Sequence, residues 1–584
     1  MENWVIKNKK DDFDSIMNQL GISQVLARCL VNKGFCGHEE MKAYLCPDLE
    51  HLYDPFLMKD MTPACAILKE KIKAGMKIRI IGDYDVDGVV ATYVLYRTLR
   101  MLEANVDYVI PDRIKDGYGI NPGMVIAAHE DGIDTILTCD NGIVAIDQIR
   151  LAKEFGMTVI VTDHHSLLCG QEGEIQLPDA DAILNPRQPD CSYPFDGLCG
   201  AAIAYKLSQA LLFQEGNQAG EYLEELISYI AIATICDVME LIDENRIIVT
   251  YGLRYLKATK NKGLLSLMDV CGMEKDQLTA FHLGFVIGPC LNASGRLDTA
   301  RKGLDLLLAQ TQEEALVLAD EVKNLNELRK AMTMEFVEKA VSMIEEGAFG
   351  EDKVLVIYLK ECHESIAGII AGRIRERYHR PTIILTDARE CIKGSGRSVE
   401  SYNMIEELSR VRHLLLKVGG HPLAAGLSLL HENIDFLRKE LNQNTVLTDE
   451  MLTPKITIDI LLPLGYITEE LIQELKMMEP FGKGNEKPLF AEKDLKIKSA
   501  FIIGKNANGI RLLLENRYGK ELEAVYFGDI SKFFSYLACK YGEEETQKLK
   551  TGRRPNILLT ITYFPRINEY NGYRSIQLMI QNYR

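Results

Sequence analysis

The chain has 584 residues, of which 47% are hydrophobic and 26% are charged. This length predicts about four domains, and this composition excludes a disordered or collagen-like chain. With 67 basic and 84 acidic residues, the net charge of −17 argues against nucleic-acid binding by the whole surface but leaves room for a local basic groove.

Neither secretion nor membrane insertion is indicated by the sequence. The first residues, MENWVIKNKKDD, lack the apolar region of a secretory signal. The most apolar stretch, 226–236, is shorter than the roughly 20 residues that span a bilayer. The 14 cysteines are dispersed and form no C-x-x-C pair, so reduced thiols are expected. We therefore expect a cytoplasmic protein without a membrane partner.

Between about residues 76 and 185, short β-type apolar runs alternate with helical stretches. The runs are KIRIIGDYD, VDYVIPDR, DTILTCDNG, MTVIVTDHH and DAILNPR. This alternation predicts a doubly wound parallel sheet, because a helical crossover connects parallel strands. Ligands of such sheets bind beyond the carboxyl ends of the strands. The side chains expected to converge there are Asp83, Asp85, Asp87, Asp140, Asp163, His164 and His165.

The rest of the chain predicts further units. Residues 200–345 have helical composition, with a strand signal only around 246–250, and a long charged periodic stretch predicts a connecting helix over 311–345. A smaller α/β unit begins at VLVIYL and includes the glycine-rich segments GSGRSVESYN and VGGHPLAAGLSL. After Pro454, about five β-type runs with polar turns predict a small barrel such as an OB-fold.

The polar strand ends of the parallel sheet predict a metal site. Asp85 and Asp87, with Asp140, Asp237 and one histidine, offer the hard oxygen and imidazole ligands that suit Mn²⁺ or Mg²⁺. Several carboxylates in one crevice repel each other unless cations lie between them, which favours two ions. Asp237 lies in the otherwise apolar segment IATICDVMEL, where an unpaired buried carboxylate is costly, so it needs a cation as partner.

The adjacent histidines, His164 and His165, have different predicted roles. Neighbouring strand residues point to opposite faces, so at most one of the pair reaches a given metal unless the chain turns there. We predict His164 as a ligand and His165 as a supporting or phosphate-facing group. A single carboxylate at a strand end commonly caps the following helix, and it is the number of carboxylates here that favours the metal site.

Eight segments resemble a known family. GDYDVDG, CDNG, TDHH and CDVMEL resemble, in order and placement, the motifs of the DHH phosphoesterase superfamily. GPCLNASGRL, GSGRS, GGHPLAAG and EPFGKGN are similar to those of its branch of single-stranded-DNA-specific exonucleases, over about residues 50–584. The resemblance implies an α/β protein with a doubly wound DHH domain, a connecting helix, a smaller α/β DHHA1 domain and an OB-like barrel. The implied limits are 1–55 for an N-terminal helical segment, 56–310 for DHH, 311–345 for the connecting helix, 346–450 for DHHA1 and 454–584 for the nucleic-acid-binding barrel.

The same resemblance implies an activity. It is that of a 5′-to-3′ exonuclease that hydrolyses single-stranded DNA with two Mn²⁺ or Mg²⁺ ions, in repair and recombination. Single-stranded DNA is then the substrate, and a single-strand-binding protein and a helicase are expected partners. The implied metal ligands, with Asp140 bridging the two ions, are Asp85, Asp87, Asp140, His164 and Asp237. The implied catalytic residues are His165, near the scissile phosphate, Asp163 and Asp83.

Substrate contacts are also implied by the resemblance. Arg113, Ser395 and Arg397 resemble a pocket for a 5′ phosphate. Asn292, Arg296 and His421 are expected to contact the nucleic acid, His421 within a glycine-rich segment that lets phosphates approach the main chain.

Two positions depart from the superfamily's patterns. Small relatives have a metal-binding histidine four residues before the first liganding Asp, where this chain has Ile81. One ion should therefore have fewer protein ligands and bind more weakly. Where relatives usually read G-P-R-x-N-A-x-G-R, this chain has Cys290 instead of the first Arg. Any role of that guanidinium is then carried by another residue or is absent.

Two other functions share the core motifs. A small-molecule or short-oligonucleotide phosphoesterase is one alternative, but the C-terminal OB-like segment argues against it. A non-enzymatic DNA-binding scaffold is the other. Such a scaffold is expected to have lost metal ligands, whereas all the matching positions are filled here.

Overall fold

The computed structural model describes residues 2–170, 174–213, 219–389, 391–504, 507–570 and 572–584, with the side chains of Cys169 and Tyr570 outside that description. The chain forms two compact units. One combines Met1–Asp48 with Pro454–Arg584, and the other is Leu49–Thr453. Within the described ranges, no helix combines the length and the apolar character that crossing a membrane requires.

The N-terminal elements belong to the same unit as the C-terminal barrel. They are β1 (Asn3–Ile6), α1 (Phe13–Leu20), α2 (Gln24–Lys33) and α3 (His38–Leu45). Strand β1 pairs in parallel with residues 455–458. Leu26 and Leu30 of α2 share a buried core with Leu471 and Leu475. Residues 2–48 are thus stabilised by burial against distant sequence. The predicted domain limits remain predictions.

The larger unit begins with the predicted doubly wound sheet, which is confirmed. Its elements are α4 (Met61–Lys73), β2 (Lys77–Ile81), α5 (Val86–Met101), β3 (Asn105–Val109), α6 (Pro122–Glu130), β4 (Thr135–Cys139), α7 (Ile146–Glu154), β5 (Thr158–Thr162), β6 (Leu168–Cys169), β7 (Ile175–Gln176) and β8 (Ala182–Leu184). The main sheet has the order β3-β2-β4-β5-β8, with all its pairs parallel. Adjacent Ile80 and Ile81 of β2 pack into separate cores, because strand residues alternate between faces.

A helical region follows, and it includes the predicted connecting helix. The helices are α8 (Gly200–Leu212), α9 (Gly220–Cys236), α10 (Asp243–Lys257), α11 (Lys262–Val270), α12 (Ala280–His282), α13 (Gly288–Leu297), α14 (Arg301–Leu308) and α15 (Gln312–Glu345). The strand signal at 246–250 is wrong, since these residues lie inside α10. Ile248 and Val249 are buried in the core that α9 shares, so packing outweighs their β-branched preference for strands.

The smaller α/β unit predicted after the connecting helix is also confirmed. Its elements are β9 (Leu355–Tyr358), α16 (Glu364–Tyr378), β10 (Thr382–Asp387), β11 (Ile392–Arg397), α17 (Met404–Arg410), β12 (Leu415–His421), β13 (Ala424–Leu429) and α18 (Ile434–Asn444). The sheet order is β12-β13-β11-β10-β9, and only β9 and β10 are parallel to each other. This sheet places β11 and the N-terminus of α16 on one cavity, described below.

The C-terminal part is β-rich, as predicted. Its elements are β14 (Lys455–Ile458), β15 (Ile460–Leu461), α19 (Glu469–Lys476), β16 (Phe490–Ile503), β17 (Gly509–Glu515), β18 (Glu521–Phe527), α20 (Ile530–Tyr541), α21 (Glu543–Lys550), β19 (Leu558–Tyr570) and β20 (Tyr573–Tyr583). The strands follow the order β15-β16-β17-β18-β20-β19, and β19 also pairs with β16. That additional pairing closes the sheet into a small barrel.

Candidate metal centre and phosphate-binding cavity

The centre of the candidate site is at the carboxyl ends of β2, β4 and β5. Asp140 and His164 follow β4 and β5, which are neighbours in the sheet. The His164 Nε2 lies 3.2 Å from Asp140 Oδ1 and 3.7 Å from both Asp87 Oδ2 and Asp237 Oδ2. The ends of two parallel strands therefore place Asp140 and His164 side by side, and the first turn of α5 and the end of α9 add the carboxylates of Asp87 and Asp237.

Backbone amides of α8 hold Asp87 in place. The carboxylate of Asp87 accepts hydrogen bonds from the backbone N–H groups of Gly200 (2.6 Å) and Ala201 (2.8 Å). These groups are free to donate because they lie in the first turn of a helix. A Cβ at Gly200 would lie 2.6 Å from the Asp140 side chain, so only glycine fits there. Sequence reasoning missed Gly200, although the small residues of LCGAA mark the close approach.

Asp140 is the most constrained carboxylate of the cluster. Its backbone φ of 61° is unusual for a residue other than glycine. The side chain is buried, and its Oδ1 accepts no hydrogen bond from any described group. Burial and the negative charges of Asp87 and Asp85 raise its pKa well above the ordinary range. Such a residue fits a cation, which would supply the missing partner for Oδ1.

Three groups of side chains have the donor set of a hard divalent cation. They are Asp140, His164 and His165; Asp87, His164 and Asp237; and Asp83, Asp85 and Asp140. Within each group the ligand atoms lie within 4.8 Å of one another. Because the groups share Asp140 and His164, they form one continuous cluster. Carboxylate oxygens with imidazole nitrogen suit Mn²⁺ or Mg²⁺, so the residues present fit these ions.

Asp83, Asp85 and Asp237 occupy different positions at the edge of this cluster. Asp85 precedes α5 and accepts a hydrogen bond from the Gly88 N–H (3.1 Å). Burial and the charge of Asp85 raise the pKa of Asp83 to about 8. Asp237 directly follows the last residue of α9, with 29% of its side chain exposed. Helix α9 therefore ends at Cys236, and the expectation that Asp237 is deeply buried within a helix is wrong.

His165 is held beside the cluster by Asp163 and Tyr118. Its Nδ1 lies 2.7 Å from Asp163 Oδ1 and 3.0 Å from the Tyr118 hydroxyl. Burial lowers the pKa of His165, but the hydrogen bond and charge of Asp163 outweigh it and raise the pKa to about 9. The Tyr118 hydroxyl also donates to the backbone carbonyl of Asp140 (2.9 Å). Sequence reasoning missed Tyr118, which follows Arg113 in the loop after β3.

A second site lies beside the cluster, between the DHH-like sheet and the smaller α/β sheet. It is a cavity of about 400 Å³. Four of the predicted substrate residues line it: Arg113, Arg296, Ser395 and Arg397. The Arg397 Nη1 donates to Ser395 Oγ (3.1 Å), and the Arg296 Nη1 donates to the Ser365 carbonyl (2.6 Å). We refer to this site as the arginine cavity.

The arginine cavity has a local excess of positive charge. Burial, with the nearby charge of Arg113, lowers the pKa of Arg296 to about 9, and burial also lowers the pKa of Arg397. The one carboxylate that lines the cavity, Glu364, is paired with Lys393 at 2.6 Å. Guanidinium groups in this state favour an anion, because an anion offsets the cost of their burial.

The N-terminal part of α16 also lines the arginine cavity. Ser365 and Gly368, the second and fifth residues of this helix, are among the lining residues, and a helix N-terminus favours a phosphate or carboxylate group. A Cβ at Gly368 would lie 2.7 Å from Arg397 Nη2, so a larger residue there would displace the Arg397 guanidinium from its present position. The sequence contained a weak signal for this contact in HESIAG, which sequence reasoning did not use.

Tyr84 connects the two sites. It stands between Asp83 and Asp85, lines the arginine cavity and has the Arg113 guanidinium 3.8 Å above its ring. Two predicted substrate residues do not line this cavity. Asn292 accepts a hydrogen bond from the Val86 N–H (3.2 Å), and His421 is exposed at the end of β12.

Ile81 and Cys290, the two positions that depart from the superfamily's patterns, have different surroundings. Ile81 is buried in a hydrophobic core at the end of β2. Cys290 accepts a hydrogen bond from Asn326 Nδ2 (3.3 Å), and Asn326 Oδ1 accepts one from Arg329 (2.9 Å). A guanidinium group thus lies two hydrogen bonds away from the Cys290 thiol, on α15.

Comparison with known proteins shows where this arrangement occurs. Three family models match: the DHH family N-terminal domain over 77–234, the DHHA1 domain over 351–446 and the RecJ OB domain over 458–582. The single-stranded-DNA-specific exonuclease RecJ of Bacillus subtilis is 36% identical over 585 residues, covering 99% of this chain and 70% of that protein.

Solved structures agree with the sequence comparison. The crystal structure of Thermus thermophilus RecJ in complex with Mn²⁺ has a TM-score of 0.81 and 26% identity, covering 100% of this chain and 79% of that one. The Mg²⁺ complex of the same protein has a TM-score of 0.76 and 25% identity, covering 100% of this chain and 78% of that one. The domain order and the cation chemistry of the cluster therefore agree with those of proteins of known structure.

Proposed function

The chain belongs to the RecJ family of single-stranded-DNA-specific exonucleases, and from that premise we propose that it removes nucleotides from 5′-phosphorylated ends of single strands. The observation that carries the direction is the arginine cavity beside the metal centre, since Tyr84, which lines this cavity, stands between Asp83 and Asp85 of the cluster. Its guanidinium groups and the N-terminus of α16 match a terminal phosphate in charge. Family membership disfavours the small-molecule phosphoesterase alternative.

We assign the cations to Asp85, Asp87, Asp140, His164 and Asp237. Two Mn²⁺ or Mg²⁺ ions held there supply the positive charge that activates water and stabilises the charge developing at phosphorus. The chain's part is to hold these ligands rigidly. The amides of α8 fix Asp87, and the left-handed conformation of Asp140 directs its carboxylate into the crevice.

His165 and Asp163 have a supporting role in this proposal. Asp163 keeps His165 protonated at neutral pH, because it raises the pKa of the imidazole to about 9. The imidazolium ring, oriented by Tyr118, can donate a hydrogen bond to an oxygen of the scissile phosphate. Asp163 itself accepts hydrogen bonds from His165 and from the Ile143 N–H (2.9 Å), so we assign it to positioning.

The arginine cavity sets the polarity. Arg113, Arg296 and Arg397 bind the terminal phosphate, and the first phosphodiester bond then lies at the metal centre on the other side of Tyr84. A 3′ end with its hydroxyl has no phosphate for this cavity. A 5′-hydroxyl end lacks the same group, so it should be a poorer substrate than a 5′-phosphorylated end.

The C-terminal barrel is our candidate for binding the strand. Tyr518 is 72% exposed with Arg517 4.7 Å above its ring, a combination that suits stacking with bases. We also propose the cytoplasm as the compartment and DNA repair and recombination as the process. A helicase that supplies single strands and a protein that coats them are the partners we propose, since both act on the same substrate.

One digestion experiment tests the function. End-labelled oligonucleotides are compared as single strands, duplexes and 5′-hydroxyl single strands, with Mn²⁺ or Mg²⁺ and with a chelator. We expect labelled mononucleotide from the 5′-phosphorylated single strand first, and no release with the chelator. Release from the 3′ end, or equal rates on single strands and duplexes, would contradict the proposal. Hydrolysis of dinucleotides alone would indicate the small-molecule alternative.

A further inference from the structure

Two cysteine thiols lie close together, one directly after α11 and the other in α13. The Sγ atoms of Cys271 and Cys290 are 4.0 Å apart. Cys271 directly follows α11 and is partly exposed, whereas Cys290 is buried in α13. Both are free thiols, as are the other cysteines whose side chains the structure describes.

The two thiols differ in acidity. The hydrogen bond from Cys290, aided by the charge of Lys323, lowers the pKa of Cys271 below the ordinary thiol value. The same contact and burial raise the pKa of Cys290. The thiolate is the reactive form of cysteine, so the solvent-accessible member of the pair is also the nucleophilic one.

We propose that Cys271 and Cys290 form an oxidation site at which a hydroperoxide converts the pair to a disulfide and thereby slows the nuclease. The Cys271 thiolate attacks the terminal peroxide oxygen, so an S–O bond forms, the O–O bond breaks and an alkoxide or hydroxide leaves and takes a proton. The Cys290 sulfur then attacks Cys271, so the S–S bond forms and water leaves with the thiol proton. Two electrons pass from the two sulfurs to the peroxide.

The disulfide would pull on α13, which carries Cys290 and supports both functional sites. An S–S bond is about 2.05 Å long, so the sulfurs must approach by roughly 2 Å. Asn292 of α13 binds the Val86 N–H between two proposed metal ligands, and Arg296 of α13 lines the arginine cavity. A Cβ at Gly295 would lie 2.4 Å from the Tyr84 carbonyl, so α13 packs directly on the loop between the sites.

The effect on rate follows from this packing. A misplacement of about 1 Å in a catalytic site can cost on the order of 10²-fold. We therefore expect the disulfide form to have an initial rate at least about tenfold below that of the reduced form. Reduction of the bond with dithiothreitol should restore the rate.

The test uses the full chain, with the bond and the rate measured separately. Reduced protein is treated with hydrogen peroxide, the peroxide is removed with catalase, and Mn²⁺ is added only afterwards. Peptide mapping under non-reducing conditions should then show a Cys271–Cys290 linked peptide lacking two hydrogen atoms. Initial rates on single-stranded DNA are measured before oxidation, after it and after dithiothreitol. Because the linked peptide is detected without any assay of activity, failure of the oxidation proposal can be distinguished from failure of the proposed nuclease function.

Two variants control the experiment. Cys271→Ser should keep the basal rate and lose both the linked peptide and the peroxide sensitivity. Cys539→Ser removes an exposed cysteine of α20 and should behave as the wild type does. Absence of the linked peptide overturns the proposal, as does a linked peptide with an unchanged rate. Peroxide sensitivity that persists in Cys271→Ser, or disappears in Cys539→Ser, overturns it as well.

Discussion

The metal centre gathers carboxylates around the buried Asp140, whereas the arginine cavity gathers three guanidinium groups around the first turn of α16. In both sites, uncharged backbone groups hold side chains of like charge close to one another. Asp87 is fixed by two backbone N–H groups, and Arg296 by a backbone carbonyl. Each site therefore has its geometry before its ligand arrives, and the ligand of opposite charge relieves the repulsion. This difference predicts that substitutions at the two sites reduce hydrolysis in different ways.

Breaking the metal centre should have the largest effect. We expect Asp140→Asn to lower the rate of hydrolysis by at least about 10³-fold, because metal charge stabilisation is worth several kcal/mol and about 1.4 kcal/mol corresponds to a factor of ten. The loss should be equal on 5′-phosphorylated and 5′-hydroxyl single strands. Initial rates on both substrates, with saturating Mn²⁺, measure it.

The matched control for this variant is Asp147→Asn. Asp147 is 85% exposed on α7, in the same domain, and pairs only with Arg150 at the surface in the described structure. It should retain the wild-type rate. Circular dichroism should show that both variants are folded. Retention of more than about a tenth of the wild-type rate by Asp140→Asn would contradict a bridging role.

Breaking the arginine cavity should have a smaller and selective effect. A hydrogen bond to a charged group is worth about 1.5 to 3 kcal/mol, so Arg397→Ala should slow digestion of 5′-phosphorylated ends by roughly ten- to a hundredfold. On 5′-hydroxyl ends the loss should be much smaller. Arg410→Ala, which removes a surface arginine paired with Glu406 and Glu407, is the control and should change neither rate. Equal loss on both ends would show that Arg397 does not recognise the terminal phosphate.

The same contrast explains what the sequence could predict. The cluster's core residues follow strands that short apolar runs between helical stretches identify, and the ends of parallel strands meet at one edge. Hence Asp140 and His164 were predicted as neighbours, and the geometry brings them together. The contact of Gly200 with Asp87 depends on how α8 docks, which no local pattern encodes. Tyr118 was missed for a similar reason, because its loop has no regular periodicity.

The arginine cavity was less accessible to sequence reasoning. Arg113, Arg296 and Arg397 come from three separate parts of the chain, and only the resemblance to a family connected them. The position of the α16 N-terminus on this cavity was missed because it depends on tertiary packing, which no local pattern encodes. The strand signal at 246–250 failed for the converse reason, since packing against α9 outweighed a local preference.

Separation of the two compact units tests whether both sites belong to one of them. All the residues assigned to the metal centre and the arginine cavity lie in Leu49–Thr453. We expect a protein of residues 49–453 to retain metal-dependent, 5′-phosphate-dependent hydrolysis. Removal of residues 454–584 alone is a worse design, because the N-terminal helices would lose the core that they share with the barrel.

Binding should weaken in the shortened protein. Stacking of a base on an aromatic ring is worth about 1 to 3 kcal/mol, so affinity for single-stranded DNA should fall by about tenfold or more. Fluorescence anisotropy across a salt titration measures this, with the full chain as reference. Equal affinity of the two proteins would exclude the barrel as a strand-binding module. Loss of the 5′-phosphate preference would place part of the end-recognition site outside 49–453.

The smallest expected effect is on thermal stability, and its sign follows from a pKa. In the metal-free protein, burial and the charge of Asp87 raise the pKa of Asp140 above the ordinary value of about 3.9. The stability contributed by such a group is fully present below the ordinary pKa and is lost as the pH rises through the raised one. The metal-free protein should therefore be weakened by this cluster at neutral pH and above.

Mn²⁺ should reverse that weakening, and its effect should grow with pH. The ion binds deprotonated carboxylates, so the rise in melting temperature, a few °C at about 100 times the dissociation constant, should be larger at about pH 8 than at about pH 6. Inorganic phosphate, which suits the arginine cavity, should raise the melting temperature in wild type and Asp140→Asn but not in Arg397→Ala. Mn²⁺ should raise the melting temperature in wild type and Arg397→Ala but not in Asp140→Asn. Differential scanning fluorimetry of the three proteins decides this, because a Mn²⁺ effect that survives in Asp140→Asn would mean that the ions bind elsewhere.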